Sequence, residues 1–247
     1  MGDRNDNGRG KPSPEYGGAE LDRLGSVLVD LARRLQHEKD EQSTLDAIVR
    51  SAVDTIPGAE YAAISEIRAR RRIRTTAATE QVVCDVDQVQ YDTNQGPCLS
   101  SLYEQTTVRV ADVRNDARWP RFSAGTAGLG IGSMLSFQLY VSDDNLGALN
   151  LYARRADAFG DESEQVGLLF AAHAAVAMSD ARQITQLTQA LGARDVIGQA
   201  KGILMERHRL TGEQAFRLLV MSSQHTNTKL LDVARHLAES GELTAPR

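Results

Sequence analysis

The side chains that could do covalent or metal chemistry in this 247-residue chain are few and scattered. Cys84 and Cys98 lie 14 residues apart with no histidine beside them, which fits neither a zinc site nor a CxxC redox pair. Cys98, directly after Gly96-Pro97, reads as a buried structural thiol, with a redox or tetrapyrrole-attachment role as the alternative. No histidine occurs between His37 and His173, so haem held by a proximal histidine is not expected in that region. Nucleophile elbow, HExxH, Walker A and kinase motifs are missing, and Asp143-Asp144 fits a turn better than a catalytic pair. The expectation is that the chain is not an enzyme, has no metal and has no identified cofactor.

Binding chemistry is better represented near the other end. Lys201, Met205 and His208 fall at i, i+4 and i+7, with Arg194 a little under two turns before Lys201, so a polar, basic strip runs along a helix. Cations of this kind hold phosphates, and the splayed bases of RNA loops can be stacked on or hydrogen-bonded. Gln199 carries an amide that could read a base edge, whereas Ala200 and Gly202 would permit close approach of backbone or a neighbouring helix. From spacing alone the strip reads equally as a solvated helix face. Ser222, Ser223 and Asn227 fall at a helix end and a cap, and each is either an RNA contact or a server of local backbone bonds. The net charge of −5 divides unevenly, with +2 on residues 184–247 and −7 on residues 1–183. That sign allows a phosphate-bearing partner without the strongly basic footprint that would require one.

The elements that must position these residues follow from hydrophobic periodicity. Residues 1–18 are rich in glycine, proline and charge and are expected to be a disordered tail. Leu21, Leu24, Leu28, Leu31 and Leu35 place a leucine stripe on a first helix. A second helix begins near Ser43 or Thr44, carries Leu45, Ile48, Val49, Ala52 and Val53 inward, and stops at Pro57-Gly58. Strands are expected over Tyr61–Ile67 and Ile73–Thr79, joined by the basic run of Arg68, Arg70, Arg71, Arg72 and Arg74. That run reads as a solvated hairpin turn, with an auxiliary anion contact as the alternative. Ser133–Val141 and Leu146–Tyr152 alternate, with Asp143-Asp144-Asn145 as their turn. Gly128-Leu-Gly-Ile-Gly132 lacks the spacing of a dinucleotide fingerprint and opens a strand, so it is read as a flexible loop.

From Asp161 a helix of about 30 residues is expected, its end carrying Ala177, Ile184 and Leu191 seven apart with Leu187 between them. This spacing favours pairing with a second copy, although the leading leucine stripe offers a rival dimer interface. Beyond Gly192 three short helices are expected: one on Val196, Ala200, Ile203 and Arg207, one opened by the capping box Thr211-Gly-Glu-Gln214, and one capped by Asn227. The longest apolar stretch, Val166–Met178, is too short for a membrane span, and no signal peptide is evident, so a cytoplasmic protein is expected.

Two resemblances follow from these motifs. Arg194-Asp-Val-Ile-Gly-Gln-Ala-Lys-Gly-Ile-Leu-Met205, Glu213–Leu219, Ser222-Ser223 and Asn227–Ala234 resemble the ANTAR domain, the three-helix RNA-binding module of bacterial antiterminators. The resemblance implies a dimer that binds tandem RNA hairpins with short six-base loops and so prevents a terminator from forming. By this likeness Arg194, Gln199, Lys201, Gly202, Met205, Ser222, Ser223 and Asn227 are the expected RNA-binding residues. Residues 20 to about 183, with the turn Asn94-Gln-Gly-Pro97 and the strand Thr107–Val110, resemble a GAF domain. That implies an α+β fold with an antiparallel sheet flanked by helices, and an unknown small-molecule signal bound on one sheet face. The motif of cyclic-nucleotide GAF domains is not evident, and the receiver domain more usual beside ANTAR is missing. The expected organisation is a tail over 1–18, a GAF sensor domain over 19–183 and an ANTAR domain over 184–247. The expected function is a signal-responsive antitermination regulator; the alternative is a DNA-binding or protein-interaction regulator using the same helices.

Overall fold

The structure, a computed structural model, describes residues 25, 29, 33, 35, 38, 40–68, 72–104, 107–142 and 144–243. The expected tail, most of the leucine stripe, Arg70, Arg71 and Asp143 lie outside them; of the stripe, Leu35 is described, helical and buried. The chain divides into two compact units between Ala181 and Arg182. Among the described residues no helix is long and apolar enough to cross a membrane.

The first unit is α+β. Helix α1 spans Glu41–Thr55 and is capped by Asp40, whose carboxylate accepts from the Ser43 N–H at 2.8 Å. Strands β1 (Tyr61–Arg68) and β2 (Arg72–Ala78) follow. Then come helices α2 (Gln81–Thr93) and α3 (Pro97–Glu104), strand β3 (Val108–Val110), helix α4 (Pro120–Thr126), and strands β4 (Ser133–Val141) and β5 (Asp144–Ala153). The sheet order is β2-β1-β5-β4-β3, and the pairings between neighbours are antiparallel.

Alternation in β4 and β5 separates two buried faces. Leu135, Phe137, Leu139, Leu149 and Leu151 share a core with Leu45 and Ile48 of α1 and with Phe170, Ala174 and Met178. Met134, Tyr152 and Ala63 turn the other way, against Val83, Val86 and Phe122 of α2 and α4. Helices α2, α3 and α4 were not expected from sequence. The expected hairpin turn at Asp143-Asp144-Asn145 also moves. Asp144 pairs with Val141 and Asn145 with Tyr140 inside the ladder, and the chain reverses through Ser142 at φ +54°. The glycine-rich segment 128–132 leads straight into β4, with no helix after it.

Helix α5 runs from Asp161 to His208, 48 residues, where a break near Gly192 was expected. No proline interrupts this segment, and its glycines, Gly167, Gly192, Gly198 and Gly202, cost a helix only about 1 kcal/mol each against alanine. The first of the three expected C-terminal helices is therefore the end of α5. Its Ala200 and Leu204 form the second unit's core with Ala215 and Leu219 of α6 (Gly212–Thr226) and Val233, Ala234 and Leu237 of α7 (Leu230–Ser240). The capping box forms as written, with the Thr211 oxygen accepting from the Gln214 N–H and the Gln214 side chain accepting from the Thr211 N–H. Asn227 does not cap α7. It closes α6 in the left-handed conformation at φ +51°, which asparagine tolerates, and Lys229 precedes α7 without a side-chain cap.

Candidate functional site

In the second unit, the last four turns of α5 carry the basic strip. Arg194 and Gln199 are exposed and Lys201 is half-buried, and the three line one groove. Ala190, Ala193, Ile197, Gly198 and Phe216 of α6 also line it. Asp195 also borders it and was not singled out from sequence. Gly202 and Met205 are exposed beyond the groove, and the Met205 sulfur lies by Gly212 at the start of α6. Among the described residues neither Arg194 nor Lys201 is in an ion pair, whereas Arg217 is held by Glu213 at 2.6 Å and Arg207 donates to the Gly241 carbonyl. Two cations without carboxylate partners, beside a polar amide and an exposed ring, can hold an anionic, planar ligand.

The remaining expected RNA contacts lie apart from the groove's lining. Ser222 Oγ donates to the Leu243 carbonyl at 3.2 Å and Ser223 Oγ to that of Thr228 at 2.6 Å. Asn227 is exposed at the C-cap of α6. Of the expected dimer residues, Ala177 is half-buried and packs on the core of the first unit. Ile184, Leu187 and Leu191 are each more than 60% exposed, at i, i+3 and i+7 on α5.

In the first unit, the sheet face under α2 and α3 holds a buried polar network among its apolar residues. Asp87 of α2 accepts from Tyr152 at 2.5 Å, Thr75 at 2.8 Å and Gln90 at 2.9 Å, with Ser65 at 3.4 Å. Burial pushes its carboxyl up to about 6, against the pull of these donors. Ser65 and Thr75 also meet the Tyr91 hydroxyl, and Asn150 donates to Ser65. Gln90 additionally accepts from the Cys98 N–H; a Cβ on Gly96, at φ +141°, would overlap that glutamine. Burial, then Asp87, pushes the Cys98 thiol up to about 12, so it is a neutral packing group at pH 7. Burial first, then Asp87 and Asp85, also raises Cys84. Beside this network Ser136 Oγ, Gln138 Oε1 and Asn150 Oδ1 are buried without a hydrogen-bond partner, and Ser136 pairs directly with Asn150 across the ladder. Among the described residues no cluster of histidine, cysteine and carboxylate could hold a metal.

The network is invisible from sequence because its members come from β1, β2, α2, α3 and β5, with Tyr152 and Asp87 65 residues apart. Sequence alone gives Phe216 no site role, since it sits beside Ala215 and Leu219 in one helical apolar stripe.

Residues 38–179 match the family described as GAF domain, and residues 185–237 match the ANTAR domain. Among curated proteins none matches the chain. Among solved structures the chain is similar to the GAF domain of a phosphoenolpyruvate-protein phosphotransferase from Coxiella burnetii, at 13% identity over 69% of this chain and 99% of that one, with a TM-score of 0.54. It is also similar to free methionine-R-sulfoxide reductase from Neisseria meningitidis, at 13% identity over 68% and 96% of the two chains and a TM-score of 0.51. The phytochrome photosensory core module of Stigmatella aurantiaca matches at 12% identity over 90% of this chain and 48% of its own, with a TM-score of 0.58. At these identities the likeness is one of fold.

Proposed function

This chain belongs to the GAF domain family and carries an ANTAR domain, and from that premise we propose that it is a signal-responsive transcription antitermination regulator. Its second unit binds tandem-hairpin RNA with short loops, and its first unit takes a small-molecule signal that governs the binding. The observation that carries the RNA reading is the meeting of Arg194, Gln199 and Lys201 in one groove. For the signal, the unpartnered Ser136, Gln138 and Asn150 atoms favour a small ligand that forms hydrogen bonds. Coupling requires that this ligand bind the active and inactive arrangements with different affinity. The protein works as a cytoplasmic homodimer through Ile184, Leu187 and Leu191, and without a catalytic step.

The test is a filter-binding titration of the full chain against a tandem-hairpin RNA, a loop-scrambled control and duplex DNA at stated salt. Loop-dependent RNA binding is the expected result. Preference for duplex DNA would replace the reading with a DNA-binding regulator, and no binding to any of them would leave the helices to a protein partner.

A further inference from the structure

Phe216 is an aromatic side chain in an unusual place. Its neighbours Ala215 and Leu219 are fully buried in the core of the second unit, yet Phe216 is 40% exposed and lines the groove on α5. Arg194 and Lys201, seven residues apart on α5, line that groove at a separation of roughly 10 Å along the helix axis. Between them lies Gly198, where a Cβ would meet nothing within 4 Å. Asp195 and Gln199 complete the lining with a carboxylate and an amide.

This combination is poorly suited to a run of phosphates alone, because Asp195 would repel them. It suits one unstacked base whose flanking phosphates reach the two cations. The ring offers a π-face to any base, Gly198 adds no side chain to the lining, and Asp195 and Gln199 supply a carboxylate and an amide that can pair with its polar edge. We infer that Phe216 is a stacking platform for a single splayed loop base, and that it supplies the discrimination between looped and fully paired RNA, while Arg194 and Lys201 supply affinity that is indifferent to sequence. The inference rests on the RNA reading proposed above and goes beyond it by assigning loop selectivity to a residue outside the expected RNA-binding set.

The test uses full-length protein, a hairpin RNA with 2-aminopurine in its loop, and the same stem closed as a blunt duplex. Phe216→Leu keeps the apolar bulk and removes the π-face. It is expected to lower the preference for loop over duplex about tenfold or more, with duplex affinity unchanged, and to abolish the quenching of 2-aminopurine; Phe216→Tyr is expected to retain both. Gly198→Leu provides a control independent of any loss of folding. It should raise thermal stability, because leucine is the better helix former and its Cβ has room, while blocking the groove and removing loop preference. Unchanged loop preference in Phe216→Leu and Gly198→Leu would overturn the stacking role while leaving RNA binding intact. Absence of RNA binding by the wild type would overturn the RNA reading itself. Loss of self-association by Phe216→Leu, with loop preference kept, would assign the groove to a second copy instead.

Discussion

Tyr152 donates its hydroxyl to Asp87 across 2.5 Å, so the second face of the sheet is organised around a buried carboxyl where an all-apolar core would have sufficed. A carboxylate in that position is desolvated, and the donors from Tyr152, Thr75 and Gln90 only partly offset the loss of water.

The contribution of Asp87 to the stability of the first unit should therefore be greatest in acid. Below the ordinary carboxyl value of 3.8 Asp87 is neutral in folded and unfolded chains alike. As pH rises from there through about 6 the unfolded chain gives up its proton first, and stability falls by about 3 kcal/mol. Urea unfolding of wild type and Asp87→Asn at pH 4 and pH 7.5 measures this. The advantage of wild type over the variant should shrink by about that amount at the higher pH, and parallel behaviour of the two proteins would refute the assignment.

Gly147 should resist any side chain. It lies in β5 at φ +154°, and a Cβ there would come within 2.1 Å of the Ser65 carbonyl oxygen on β1. Gly147→Ala is expected to cost about 2–4 kcal/mol, through strain and a displaced strand. Denaturant unfolding followed at Trp119 would read it, and a loss below 1 kcal/mol would contradict the close approach.

Lys201→Ala should weaken binding to looped and paired RNA by the same factor and reduce the slope of log affinity against log salt by about one. A loss confined to one RNA would make Lys201 a base-reading residue. Circular dichroism should show the helices unchanged, since the lysine has no ion pair to lose.

Leu187→Glu should shift self-association toward monomer in sedimentation analysis without lowering helix content. Leu187 is 66% exposed, so its replacement leaves the folded chain intact and acts only where a partner copy covers it. Unaltered association would move the interface elsewhere.

Local chemistry was the legible part of this molecule. The Thr211–Gln214 capping box, the stop of α1 at Pro57-Gly58 and the inward residues of β4 and β5 are each set by neighbours within a turn or a strand. Asn227 shows where local rules divide: asparagine caps either end of a helix, and the left-handed bend after Thr226 decided between them. Helices α2 to α4 are short, and on the face they cover polar residues such as Ser65, Thr75 and Asn150 are mixed with apolar ones, so their periodicity is weak in the sequence. The Asp87 network and the groove lined by Phe216 depend on chain segments brought together by the fold, which periodicity does not encode.

Helix α7 follows Lys229 with no side-chain cap on its first turn, whereas α6 is doubly secured at its start. The amides of that first turn are the ones most readily surrendered to solvent, so partial opening of the second unit starts there. A protease added to the native protein would cut the Asn227–Lys229 connection before the Arg209–Thr211 connection that leads into α6. Deuterium would likewise enter at Leu230 and Leu231 while Leu204 and Leu219 remained protected.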